Sequence, residues 1–219
     1  MYTRYAVYFV PAGSWGDAGA AWLGWDNRTG AYVDQIDPFQ VEVTQRPRKY
    51  GFHATIMARF RLNQTSSVED LCAALDEFTL HHKAIPLRSL ELSRLGRFYA
   101  FTAPNEQTAL HGLAGQAVMR LDEHRAPLTD AELARRRASK LSPEQDALLV
   151  RWGYPYVMEA FRFHLTLTAP ISESDSIRER MHAHFKAVMA RGMTLDRLSI
   201  VGERQDGQFE EVFSAELRG

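Results

Sequence analysis

The 219-residue chain is 45% hydrophobic and 24% charged, and its 26 Lys and Arg against 27 Asp and Glu leave a net charge of −1. That is the composition of an ordinary globular protein with enough chain for one large or two small domains. The balance excludes a generally basic nucleic-acid-binding surface, and no apolar stretch reaches bilayer length. One cysteine, Cys72, cannot form an internal disulfide and fits a reducing cytoplasm, which is the expected location.

Residues 3–11 read as a strand ended by Pro11, too short and too Tyr-rich for a signal peptide. A Gly- and Trp-rich segment, 13–30, follows, with a short helix expected over 18–25. Segment 34–48 holds Pro38 and Pro47 and reads as a connecting loop with a short extended piece. A strand is expected over 50–62. Ser66-Ser67-Val68-Glu69-Asp70 is a capped helix start, with the helix running to about residue 81. Strands over 86–95 and 97–103 meet at Gly96, and a helix over 106–123 completes the first half.

Between the halves lies a helical insertion. Thr129 or Asp130 caps a helix carrying Arg135, Arg136 and Arg137, which read as its solvated side. Ser142-Pro143 starts a second helix. The second half has a strand over 164–169 closed by Pro170 and a helix over 175–191. Two strands follow, 194–202 and 209–217, joined by the hairpin signal Gln205-Asp206-Gly207.

The tripeptide His-x-Thr occurs twice, as Phe52-His53-Ala54-Thr55 and Phe163-His164-Leu165-Thr166, each in a strand-like run. Roughly half an accidental copy is expected in such a chain, so one would mean little and two matched copies mean more. Alternation along a strand turns His53 and Thr55 to one side, together with Lys49, Gly51 and Met57. In the second run Arg162, His164, Thr166 and Thr168 share a side. The two halves also share an order of strand, helix, strand, strand, and Leu87 superposes on Leu195, a weak internal repeat. A pseudo-twofold would bring the two His-Thr pairs to one cleft.

Two imidazoles can share general acid and base roles near neutral pH, and two hydroxyls can steady a phosphoryl group without metal. Lys49 and Arg162 are candidates for phosphate contact, with solvated strand-mouth charges as the plainer reading. Tyr50, Trp152, Tyr154 and Tyr156 flank the motifs; space-filling is favoured over stacking on a base or sugar for the group, with Tyr50 and Thr168 kept among the candidate substrate contacts. The chain has no Cys cluster, no His-Glu-x-x-His and no P-loop.

These residues resemble the two-histidine (2H) phosphoesterase superfamily over nearly the whole chain apart from the insertion. More narrowly, Arg4–Phe9, Tyr50–Thr55, Arg125–Leu128 and Trp152–Thr168 look like a bacterial branch often encoded beside genes for phosphonate breakdown. The resemblance implies an α+β, bilobal LigT-like fold whose two antiparallel sheets face a central cleft. Lobe one would span about 47–124, the insertion about 125–156 and lobe two about 157–219, with the N-terminal strand joining one sheet. It implies His53 and His164 as the acid–base pair and Thr55 and Thr166 as phosphate binders. No cofactor or metal is called for. The expected activity is hydrolysis of a small cyclic phosphate or nucleotide-like phosphodiester. The alternatives are a non-catalytic binder of a phosphometabolite, or an enzyme of RNA ends acting on 2′-5′ linkages or joining strands.

Overall fold

A computed structural model describes residues 2–35 and 37–219; Met1 and Ile36, which fall in the first strand's lead-in and the 34–48 segment, lie outside the described residues. In chain order the elements begin with β1 (Tyr5–Phe9), α1 (Gly13–Leu23), β2 (Trp25–Asp26), β3 (Ala31–Tyr32) and α2 (Pro38–Arg48). Next come β4 (Ala54–Phe60), α3 (Val68–Leu80), β5 (Ile85–Leu87), β6 (Glu91–Leu95), β7 (Phe98–Thr102) and α4 (Gln107–Leu121). The insertion forms α5 (Asp130–Arg137) and α6 (Pro143–Trp152). It is followed by β8 (Leu165–Thr166), α7 (Asp175–Met189), β9 (Met193–Leu195), β10 (Arg197–Glu203) and β11 (Phe209–Glu216).

The mixed helix and sheet content is that of an α+β protein. The main sheet is antiparallel and seven-stranded, in the order β11-β10-β1-β4-β8-β7-β6. Two sheets facing one another across a cleft were expected; instead the two halves meet edge to edge in this one sheet. They join where Ala54 of β4 pairs with Leu165 of β8, the residue after each motif histidine. The hairpin β6-β7 of the first half lies beyond the motif strand of the second. The hairpin β10-β11 of the second half lies beyond β1 and the motif strand of the first. Leu87 and Leu195, the residues that begin the superposed segments, lie on paired strands β5 and β9, with Leu87 facing Met193 and Ile85 facing Leu195.

Helices α1, α3, α4 and α7 bury their apolar sides on one face of the sheet. Leu71, Leu75, Leu113, Met181 and Phe185 join Val7, Phe9, Ala54, Phe101, Leu165 and Leu167 in a single core. Trp22 fastens α1 to the second motif strand by donating from its indole to the Leu167 carbonyl, at 2.9 Å. The helix starts follow their signals: Ser67, Thr129 and Ser142 each form a capping box.

The 34–48 segment departs from the expected loop, since residues 38–48 are helical. Asp37 caps it by accepting from the Phe39 amide at 3.0 Å, and Pro38 sits where a missing N–H costs nothing. Proline there begins a helix rather than interrupting one. The motif strands are also shorter than expected, and the strand expected over 86–95 is split into β5 and β6.

Candidate active site

Ala54 and Leu165 are fully buried against the helices, so their neighbours point to the other face of the sheet. Extending the Ala54–Leu165 register by one residue either way sets His53 beside Thr166 and Thr55 beside His164. Side chains directly opposite in an antiparallel pair have Cβ atoms about 4.5–5.5 Å apart. The four motif side chains therefore form one compact patch.

Each histidine is oriented in the same way. His53 Nδ1 lies 2.9 Å from the Gly51 carbonyl and His164 Nδ1 lies 2.7 Å from the Arg162 carbonyl. A carbonyl only accepts, so each Nδ1 carries hydrogen and each neutral ring keeps its basic lone pair on Nε2. The Thr55 hydroxyl donates to His53 Nε2 at 3.2 Å. Gly51 makes its contact from φ +70°, and a Cβ there would lie 2.4 Å from Asn27 Cγ. Glycine is thus required both by the turn and by the close approach of Asn27, whose amide donates to the Tyr50 carbonyl at 3.1 Å.

Tyr8 lies flat on His53, with ring centroids 3.8 Å apart and planes 22° from parallel. Phe98 stands 5.9 Å from His164 at a steeper 52°. Burial lowers the His53 pKa to about 4; the Gly51 carbonyl opposes the shift and a charge on His164 adds to it. His164 is lowered by burial as well, with the Arg162 carbonyl opposing.

The patch opens into a cavity of about 350 Å³. His53, Thr55, Thr166 and Thr168 line it with Tyr8, Tyr50, Tyr154, Arg46, Arg59 and Arg136. No carboxylate is among the lining residues. His164 is not a lining residue and stands beside Phe98, which is. A pocket with three guanidinium groups and no acid suits an anion, although the whole chain is close to neutral.

Several expected site residues are placed otherwise. Lys49 is exposed at the end of α2, its ammonium 4.8 Å from the Tyr50 ring centroid. The strand begins only at Ala54, so alternation does not extend back to Lys49. Arg162 precedes β8, its side chain is exposed and outside the cavity lining, and it acts through its carbonyl. Thr168 lines the cavity but is buried, and its hydroxyl accepts from the Tyr99 amide at 3.0 Å. Met57 turns to the core instead of the cleft, because the β1–β4 register shifts between Val7–Met57 and Tyr8–Thr55. A second shift between Tyr5–Phe60 and Val7–Met57 lets both Ala58 and Arg59 line the cavity.

Sequence reasoning missed Tyr8, Arg59 and Arg136. Alternation beyond Thr55 points to residue 59 and could have found Arg59. Arg136, read as solvated, reaches the cavity from α5, with its guanidinium 5.2 Å from the Tyr154 ring centroid. Tyr50, a substrate-contact candidate, faces the cavity, as does Tyr154, read as space-filling, whereas Tyr156 is exposed. Among the described residues, no group of three or more His, Cys, Asp or Glu is placed to hold a metal ion. No helix there is long and apolar enough to cross a membrane.

The α+β fold carries a recessed, cationic pocket beside the two motif strands, and comparison places the chain in a family. Residues 55–210 match the family described as "Protein of unknown function (DUF1045)", and the chain belongs to that family. It is also similar to "Ribose 1,5-bisphosphate phosphokinase PhnN" of Janthinobacterium sp. (strain Marseille), 37% identical over 219 residues, covering 94% of this chain and 48% of the relative. The protein of the same name from Laribacter hongkongensis (strain HLHK9) is 34% identical over 193 residues, covering 85% of this chain and 45% of that one. The chain spans about half the length of these curated relatives.

Proposed function

We propose that the protein is a metal-independent phosphoesterase of the two-histidine type, hydrolysing a cyclic phosphodiester of a small ribose-phosphate-like molecule. The observation that carries this reading is the repeated histidine geometry: each Nδ1 is tied to the carbonyl two residues back, which leaves each Nε2 basic. A pure binder has no need for two imidazoles oriented this way. The cationic cavity supplies the preference for an anion.

In this mechanism His53 is the base and His164 the acid. A charge on either ring disfavours one on the other, so the pair works with a single proton, which this mechanism assigns to His164. His53 Nε2 takes a proton from water as its oxygen attacks phosphorus. His164 Nε2 gives its proton to the departing ribose oxygen, and a phosphate monoester with a free hydroxyl results. Thr55 and Thr166 donate to the non-bridging oxygens as charge accumulates there. Burial disfavours the charged form of both rings, and a bound anion opposes that and favours the proton on His164.

The curated relatives' name joins a ribose phosphate to a phosphokinase activity. The chain covers less than half of each, and its sequence has no Gly-x-x-x-x-Gly-Lys-[Ser/Thr] run to cradle a nucleoside triphosphate. The ribose phosphate is therefore the part of that name carried to this site. A role in phosphonate metabolism, in the cytoplasm, accords with it.

Incubation with cyclic ribose phosphates and 2′,3′-cyclic nucleotides tests the reading. The expected result is a monoester product, with turnover reduced about 10²-fold or more in His53→Ala and in His164→Ala. Heat stabilisation without product would favour a binder, and undiminished turnover in the double variant would end the catalytic proposal.

A further inference from the structure

The charged residues of the cavity do more than the reacting phosphoryl group requires. We infer that the site has a second anion subsite, built by Arg59 and Arg136 with Tyr50 and Tyr154, which takes a non-reacting phosphate at the far end of the substrate. This deepens the proposed function and rests on it for the identity of the reacting end. The substrate class it implies is a sugar carrying two phosphoryl groups, one cyclised and one terminal.

Half of the arginines form ion pairs among the described residues. Arg4 meets Glu203, Arg28 meets Asp26, and Arg125 meets Asp122. Helix α5 makes the contrast within two consecutive residues. Arg137 forms a two-pronged contact with Asp146, at 2.7 and 2.9 Å, whereas Arg136 turns into the cavity. Its Nε is buried and has no hydrogen-bond partner. A buried guanidinium N–H left unsatisfied costs free energy that an incoming acceptor would recover.

Arg59 is in the same position electrically. Its Nη1 donates to the Tyr50 hydroxyl at 2.5 Å, its guanidinium carbon lies 5.7 Å from that ring's centroid, and it forms no ion pair among the described residues. Both Tyr50 and Tyr154 therefore have a guanidinium over the ring, which holds the two cations in place without neutralising them. Like charges kept together in a recessed pocket repel until an anion arrives. Arg46, exposed at the rim, adds a third positive charge.

Position separates this cluster from the histidines. Arg59 follows Thr55 by four residues on β4, a span of up to about 13 Å at strand rise. Tyr50 stands between the two, its ring 6.1 Å from the His53 ring and its hydroxyl on the Arg59 guanidinium. One phosphate on Thr55 and Thr166 would leave the arginine cluster unfilled, whereas a sugar bearing a second phosphate would fill both.

Calorimetric titration at low salt with inorganic phosphate and ribose 5-phosphate, a probe with one terminal phosphate, decides the matter. Wild-type protein is expected to bind ribose 5-phosphate more tightly than phosphate. Arg136→Met and Arg59→Met should each weaken ribose 5-phosphate about tenfold or more, the scale of one lost charge-assisted contact, with Arg136→Lys in between. The His53→Ala/His164→Ala double variant should bind it within about threefold of wild type. Unchanged binding in both folded Met variants, or no preference for ribose 5-phosphate over phosphate, would overturn the subsite. Loss of binding in the histidine variant alone would also overturn it and leave the reacting site standing. Turnover that survives loss of both histidines would instead sink the catalytic reading while leaving the arginine result intact.

Discussion

The ring of Tyr8 covers the face of the His53 imidazole at 3.8 Å between centroids, so one side of the proposed base never meets water. That contact comes from register: Tyr8 of β1 pairs with Thr55 of β4, which places its side chain on the motif face. The covered face is one source of the burial that takes the His53 pKa to about 4 from its ordinary 6.5.

Stability against acid follows with a definite sign. The folded-state pKa of His53 lies below the unfolded one, so the unfolded chain binds more protons between pH 6.5 and about 4. Its contribution is intact above pH 6.5 and is lost as pH falls toward 4, roughly 3–4 kcal/mol at about 1.4 kcal/mol per pKa unit. Denaturant unfolding across that range should lose part of its slope in His53→Gln. Inorganic phosphate should be bound with proton uptake near pH 6, measurable by calorimetry in two buffers of different ionisation enthalpy.

Gly51→Ala should damage site and fold together. The left-handed φ and the Asn27 side chain 2.4 Å from the added carbon both oppose it, at about 1–3 kcal/mol. Any shift of the Gly51 carbonyl also releases His53 Nδ1, so turnover should fall by more than the folded fraction does. Activity per folded molecule equal to wild type would show that the carbonyl does not orient the ring.

The two threonines of the second motif strand should separate by assay. Thr168 supports the backbone, so Thr168→Val leaves the Tyr99 amide without that acceptor and should cost about 1–3 kcal/mol of stability. Its turnover per folded molecule should hold. Thr166→Val should do the reverse, preserving the melting temperature within a few degrees and lowering kcat. The opposite pattern would exchange the roles assigned to them.

The motif residues were legible in the sequence because alternation is local: His53 with Thr55, and His164 with Thr166, share a face whatever the rest of the chain does. Helix starts at Ser67, Thr129 and Ser142 were legible for the same reason, since a capping box lies within four residues. Alternation failed at Met57, where bulges let two successive residues face one side, and at Lys49, which lies before the strand begins. The helix at Pro38–Arg48 was hidden because two prolines suggested interruption, although one starts the helix and the other sits in its last turn. Arg136 was beyond reach: only the packing of the insertion distinguishes it from Arg137 beside it.

The single sheet has a consequence for how the molecule comes apart. Because the hairpin of each half sits outboard of the other half's motif strand, neither stretch of chain contains its own complete set of strand partners. Cutting the polypeptide within the insertion and separating the fragments would leave unpaired backbone along β4 and β8, and the histidines would lose one another as soon as those strands parted. The proposed catalysis and cooperative folding are thereby interlocked, and loss of one should be an early signal for loss of the other.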